Sequence, residues 1–320
     1  MDTLFRTTAL VLVVLGPLTI TTNGFVIGFY RRKWQEAVPL MYIMMAVCDS
    51  VTGVVAVCHG GIFTYSFIAE KITLKYPRIK SDLFPVVYIL LQTATRTSLF
   101  YNTMLAVVRT INITRPFHHI IKRVVIVCAT FYPVLLAVLL SVQGVNTFSN
   151  VNQWEYYAFM ALLPGQGEVI DERVKVFLVI PLILPAIICL VCAVIQTYSI
   201  LKPSIISPPS IREQRMTITI VMLTLVCLIC NIPYTVLLFY WSYIGFIDTI
   251  DFEITLTLAY LLHTLLPFIQ AILNPAILLT RGAALRAYVV TCVRGLFSIV
   301  QRENANELEM VVMNNGVTAQ

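Results

Sequence analysis

The sequence predicts an all-α membrane protein, a bundle of seven membrane-spanning helices. Three observations carry that prediction. Hydrophobic residues make up 58% of the 320 residues and the mean hydropathy is +0.85, more apolar surface than a water-soluble fold can hide. Charged residues amount to only 12%, against about 25% in ordinary soluble domains. The apolar residues fall into seven long runs, punctuated by joints that carry most of the basic residues.

A hydrocarbon core about 30 Å thick needs about 20 apolar residues of helix. Runs of that length lie at roughly 8–30, 38–63, 83–109, 122–143, 174–201, 215–243 and 254–279. The first has the outline of a secretory signal. Its apolar part is too long for one, its leading end lacks a basic cluster, and Arg31-Arg32-Lys33 stops it. It reads as a retained span after a short N-terminus, 1–7. Pro17, Pro133, Pro181, Pro185, Pro233, Pro267 and Pro275 interrupt spans. Such breaks are tolerated where neighbours re-satisfy the backbone, and they allow bending. Pro203, Pro208 and Pro209 keep the fifth and sixth spans from merging. A polar tail, 301–320, reads as disordered.

Lys and Arg set sidedness. The joints after spans one, three and five, plus the tail, hold 14 of them, and the opposite side holds 7. The N-terminus is therefore expected outside and the tail inside. Asn112-Ile113-Thr114 spells a glycosylation sequon, but this topology puts Asn112 on the cytoplasmic side, where glycosyl transfer does not reach.

Other classes find little to stand on. Nucleic-acid binding needs a clustered basic face, and here the basic residues, net charge +6, only punctuate apolar runs. Seven of the eight Cys lie inside apolar segments, which is no disulfide framework. Cys189-x-x-Cys192 and Cys227-x-x-Cys230 mimic zinc spacing. Both sit mid-span with no His nearby and read as small hydrophobes. No nucleophile, base and orienter arrangement appears, nor a phosphate-loop or His-Glu-x-x-His pattern. Neither an enzyme nor a cofactor is expected.

Polar groups at membrane depth are costly and mark function by default. Asn23 lies in span one, Asp49 in span two, Ser98 and Arg109 in span three, and Asn274-Pro275 in span seven. Ser98 and Arg109, 11 apart, share a helix face, so a polar cluster through the bundle is expected; interhelical glue is the bland alternative. Tyr88, Gln92, Thr95 and Arg96 form a second stripe in the outer half of span three. Arg96 must either borrow carbonyls and hydroxyls or meet an anionic group from outside. Tyr234 in span six, with Tyr260 and His263 in span seven, would line the same cavity, or simply pack.

At these residues the chain resembles the rhodopsin-like (class A) G-protein-coupled receptors. Asn23 looks like the family's first-helix Asn, and Met45-Ala46-Val47-Cys48-Asp49 like its Leu-Ala-x-x-Asp. Val108-Arg109-Thr110, with Pro116 seven residues past the Arg, is similar to Asp-Arg-Tyr and its loop Pro. Cys230-Asn231-Ile232-Pro233 is similar to Cys-Trp-x-Pro, and Asn274-Pro275-Ala276-Ile277-Leu278 to Asn-Pro-x-x-Tyr. Leu285-Arg286 resembles the Phe-Arg of a short amphipathic eighth helix, expected over 281–300 after a receptor domain of 8–280. The diverged wording is similar to invertebrate orphan or chemosensory receptors, with peptide receptors nearby. Val108 replaces an acid, Asn231 a Trp, Leu278 a Tyr and Phe84 a Cys; the second outer loop, 144–173, has no Cys either. The family's usual disulfide is therefore not expected.

The resemblance implies a multi-pass plasma-membrane receptor. An extracellular small molecule or peptide, anionic if it meets Arg96, would bind near Tyr88, Gln92, Thr95, Arg96, Tyr234, Tyr260 and His263. Span six would swing about Pro233 and free Arg109 for a heterotrimeric G-protein. Asp49, Ser98 and Asn274 resemble the family's sodium site, with Gln270 nearby. In many members an acid twenty residues before the span-six Pro pairs with the span-three Arg; here that is Glu213. An Arg109–Glu213 ion pair is therefore expected to hold spans three and six together. Cys292, late in the expected eighth helix, invites palmitoylation. Two rivals stand beside this reading: a transporter or channel, and a signalling-dead decoy receptor made thinkable by Val108, Asn231 and Leu278.

Overall fold

The computed structural model describes residues 2–73, 83–114, 172–201, 210–244 and 265–295, with shorter pieces at 127–128, 131–132, 134–136, 138, 262 and 297–298. The architecture is helical, with no strand among the described residues. The long helices are α1 (Asp2–Tyr30), α2 (Ala37–Thr73), α3 (Leu83–Thr114), α4 (Glu172–Leu201), α5 (Ile211–Ile244) and α6 (Leu266–Arg281). A shorter helix, α7 (Ala283–Gly295), follows α6. Thus α4, α5 and α6 are the fifth, sixth and seventh predicted spans. Of the fourth, 122–143, the described positions are all helical.

Among the described residues, four stretches are long and apolar enough to cross a membrane: Leu10–Lys33, Ala37–Cys58, Ile183–Leu201 and Ile211–Leu237. The bent pair α6 and α7 makes a fifth if counted as one span. The surface agrees with a lipid setting. Leu10, Val14, Val194, Leu201 and Ile229 face outward, while Asn23, Asp49, Ser98 and Asn274 are buried. Such an arrangement suits a solvent that cannot hydrogen-bond.

Several helices run past their predicted ends. α2 continues to Thr73 because Ala69, Glu70 and Lys71 are good helix formers and no Pro intervenes before Pro77. α3 continues to Thr114, five residues past the predicted 109. Arg109 therefore lies inside a helix rather than at its end. α5 starts at Ile211, four residues before the predicted 215, where Ser210 caps it.

The chain divides into two units, Met1–Ile277 and Leu278–Gln320. In the first, α1 packs on α2, α2 on α3, α3 on α4 and α5, and α4 on α5. Leu12, Ala56 and Phe268 join α1, α2 and α6 in one apolar cluster. α1 and α2 approach closely at Gly16 and Gly53. A Cβ at Gly16 would stand 2.9 Å from the Gly53 carbonyl oxygen and strike Val57, and one at Gly53 would stand 3.1 Å from the Gly16 carbonyl. Gly24, by contrast, has nothing within 4 Å of such a Cβ. Gly16→Ala is expected to cost about 1–3 kcal/mol through overpacking. Gly24→Ala should be neutral or slightly stabilising, because Ala is the better helix former. Thermal unfolding of the purified protein in detergent checks the pair; equal midpoints would refute the close contact.

In the second unit, the helix bends by 104° between Arg281 and Ala283. Gly282 N–H donates to the Leu278 carbonyl, and Arg286 N–H to the Gly282 carbonyl. A Cβ at Gly282 would meet the Leu278 carbonyl at 2.7 Å, so the bend needs glycine. Leu285 is buried, Arg286 reaches the Thr280 carbonyl, and Cys292 is half-buried on α7.

Candidate functional site

The first unit carries a continuous polar network at its centre. It begins on α2, where Asp49 is buried among apolar side chains. The Ser98 hydroxyl of α3 donates to one carboxyl oxygen at 2.9 Å, and the Asn274 amide of α6 donates to the other at 2.8 Å. Gln270, one turn before Asn274, sends its amide toward Ser98 Oγ at 3.5 Å. The Gln270 carbonyl accepts from Asn231 of α5 at 2.6 Å, and Asn231 also donates to the Cys227 carbonyl of its own helix. Asn23 of α1 reaches the Ala271 carbonyl at 3.1 Å. Five helices are thus tied by amides and hydroxyls in a setting where water cannot compete for them.

The predicted trio Asp49, Ser98 and Asn274 is therefore brought together. Both Asp49 oxygens already accept a protein donor, so the trio is complete as a hydrogen-bonded unit. Asn274 Oδ1 is buried without a partner among the described residues. Asn231 and Gln270 complete a chain that spacing along the sequence leaves in pieces.

At the far end of α3, Arg109 is buried and meets α5. Nε donates to the Thr217 hydroxyl at 2.9 Å, and Nη2 donates to the Glu213 backbone carbonyl at 2.9 Å. Thr217 in turn donates to that same carbonyl at 2.9 Å. The expected Arg109–Glu213 ion pair is thus replaced by a bond to the main chain of the same residue. The reason is local. Ser210 caps α5, and Glu213 is its third helical residue. The Glu213 carboxylate accepts from the Ser210 N–H at 2.9 Å and from its hydroxyl at 3.1 Å, while Glu213 N–H donates back to the Ser210 hydroxyl at 3.3 Å. This is a capping box. It starts the helix at 211 and turns the carboxylate toward Ser210.

Gln196 of α4 is a functional candidate that the sequence motifs do not flag. Its amide donates to the Ala106 carbonyl at 2.8 Å and to the Thr110 hydroxyl at 3.0 Å, bracketing the turn that contains Arg109. An amide in the apolar run 174–201 was the available signal. Nearby, Thr103 meets the Pro185 carbonyl at 3.4 Å and Cys189 Sγ at 3.2 Å. Cys189, Cys192, Cys227 and Cys230 are all buried free thiols on helices.

Of the predicted ligand stripe on α3, Thr95 and Arg96 have described side chains. Thr95 donates to the Leu91 carbonyl and lies one turn before Leu99, which packs with Cys227 and Tyr234. Arg96, about 100° further round the helix, shares its side with Phe100, which stacks on Tyr132 of the fourth predicted span. Tyr88 and Gln92 belong to α3 by backbone, and their side chains lie outside the described residues, as do Tyr260, His263 and Pro116. Pro233 is half-buried inside α5, and Pro275 is inside α6.

No protein-family model matches this chain, and no curated protein matches it.

Proposed function

We propose that this protein is a seven-helix receptor of the rhodopsin-like G-protein-coupled type, in the plasma membrane with its N-terminus outside. One observation carries the reading furthest. Asp49 and Asn274, picked out as motif residues, and Ser98, picked out as a polar group at membrane depth, meet from three separate spans in one buried hydrogen-bonded unit. Arg109, the residue assigned to partner coupling, is held by α5 through two bonds that a rotation of that helix would break. In this reading an extracellular ligand favours a state with α5 displaced about Pro233, and Arg109 then meets a heterotrimeric G-protein. A ligand can do this only by binding the two states with different affinity.

The test is nucleotide exchange on a purified heterotrimeric G-protein by the chain in lipid nanodiscs, with a chemical library as the ligand source. A parallel ion- and solute-flux assay runs in liposomes. Ligand-dependent exchange that disappears in Arg109→Ala is the expected result. Flux that depends on Asp49 or Arg96, without exchange, would replace the receptor by a transporter or channel. Ligand binding with neither output would mark a decoy receptor.

A further inference from the structure

One side of α3 holds polar groups that the polar network does not use. Thr93 Oγ1, Arg96 Nε and Nη1, and Thr97 Oγ1 are buried with no hydrogen-bond partner among the described residues. So is the phenol of Tyr132. Thr93, Arg96, Thr97 and Phe100 follow the i, i+3, i+4, i+7 spacing of one helix face. Phe100 lies flat on Tyr132, with ring centroids 3.9 Å apart and 9° between the planes. Arg96 is only 2% exposed, and it lies thirteen residues into α3, about 20 Å along the helix axis.

A guanidinium at that depth costs about 3 kcal/mol even by lenient scales. It persists where an anion or several acceptors meet it. The buried acid of the polar network, Asp49, is engaged by Ser98 and Asn274 on another side of α3. The seam offers instead two guanidinium nitrogens and three hydroxyls, those of Thr93, Thr97 and Tyr132, none with a partner among the described residues, with apolar side chains beside them. Phe131, Val134 and Leu135, neighbours of Tyr132, are 69%, 62% and 59% exposed, and in a spanning segment they face acyl chains.

We propose that the seam between α3 and Tyr132 binds the anionic head of a single-chain amphiphile, a long-chain fatty-acid carboxylate. The carboxylate meets the Arg96 fork, the planar match that suits a guanidinium. Thr97 and Tyr132 hydroxyls donate to its remaining lone pairs, and the acyl chain runs along Phe131 and Leu135. A small aqueous anion would gain the charge contact but no apolar contact, and would have to be dehydrated first. The site deepens the anionic-ligand part of the receptor reading. Binding itself does not depend on that reading; only a signal sent by the bound ligand does.

The test is equilibrium binding of radiolabelled palmitate to the full chain in neutral phosphatidylcholine nanodiscs, with acetate, hexadecanol and phosphatidylglycerol as competitors. Saturable palmitate binding is expected, weakened about tenfold or more in Arg96→Gln and about threefold in Tyr132→Phe, in line with loss of charged and neutral hydrogen bonds. Tyr132→Phe keeps the ring stack, so it reports even if the Arg96 variant misfolds. Equal binding by wild type and Tyr132→Phe would overturn the site, as would equal competition by uncharged hexadecanol. Equal competition by acetate would refute the amphiphile. Stronger competition by phosphatidylglycerol would assign the seam to a phospholipid headgroup and overturn the fatty acid. Binding is read without any G-protein, so failure here leaves the exchange experiment standing, and failure there leaves this one standing.

Discussion

Asp49→Ala is expected to lose about 2–4 kcal/mol of stability, the largest effect of any single substitution in the polar network. Two interhelical bonds of about 0.6–1.7 kcal/mol each disappear, and Ser98 and Asn274 are left as stranded donors at about 1–3 kcal/mol each where they find no new partner. The two costs overlap, because a stranded donor partly re-pairs. Asp49→Asn should lose less than half as much. Its amide oxygen still accepts from Asn274, and the Ser98 hydroxyl can rotate to accept from its NH2. Thermal midpoints of monodisperse protein in detergent rank the series as wild type, then Asn, then Ala. If Ala and Asn were equally harmful, the carboxyl's two-sided bonding would not be what holds these helices.

Thr217→Val and Glu213→Gln form the second decisive pair. Thr217→Val keeps the shape of the side chain and removes the acceptor of Arg109 Nε. Losing about 1 kcal/mol from the resting arrangement shifts a two-state balance roughly fivefold, so basal nucleotide exchange is expected to rise about fivefold. Glu213→Gln should leave it within about twofold, because Arg109 binds the carbonyl of that residue and Gln also completes a capping box. Had the carboxylate been the partner, the order would be reversed. Basal exchange in nanodiscs, normalised to protein amount, separates the two outcomes.

The polar network is largely legible in the sequence. An Asp, Ser or Asn in an apolar run stands out because lipid makes it expensive, and expense narrows the explanations. Asn231 and Gln270 stand out only as departures from a familiar pattern. That they satisfy each other depends on α5 and α6 facing one another at that height. Gln196 obeys the same cost rule, but no motif draws attention to it.

Arg109 and Arg96 show where sequence reasoning stops. For Arg109 it names the right residue on α5 and the wrong atom. The resemblance pairs the acid twenty residues before Pro233 with the span-three Arg, whereas Ser210 and Glu213, three apart, satisfy each other locally. A local bond needs no loop closure and so takes the carboxylate first. For Arg96, spacing alone allows one broad face with Thr95. Only the tertiary structure shows that Phe100, one turn on, stacks on Tyr132 and that Leu99 packs with Tyr234.

By itself, then, the sequence determined that this chain is helical, with spans long enough to cross a membrane and a few costly polar side chains inside them. Those properties follow from composition and run length, which act residue by residue. Only the tertiary structure decided which polar atoms meet: Asp49 with Ser98 and Asn274, Asn231 with Gln270, Arg109 with a main-chain carbonyl. Hydrogen bonds depend on distance and direction to within a few tenths of an ångström, and no one-dimensional pattern carries the rotation of one helix against another.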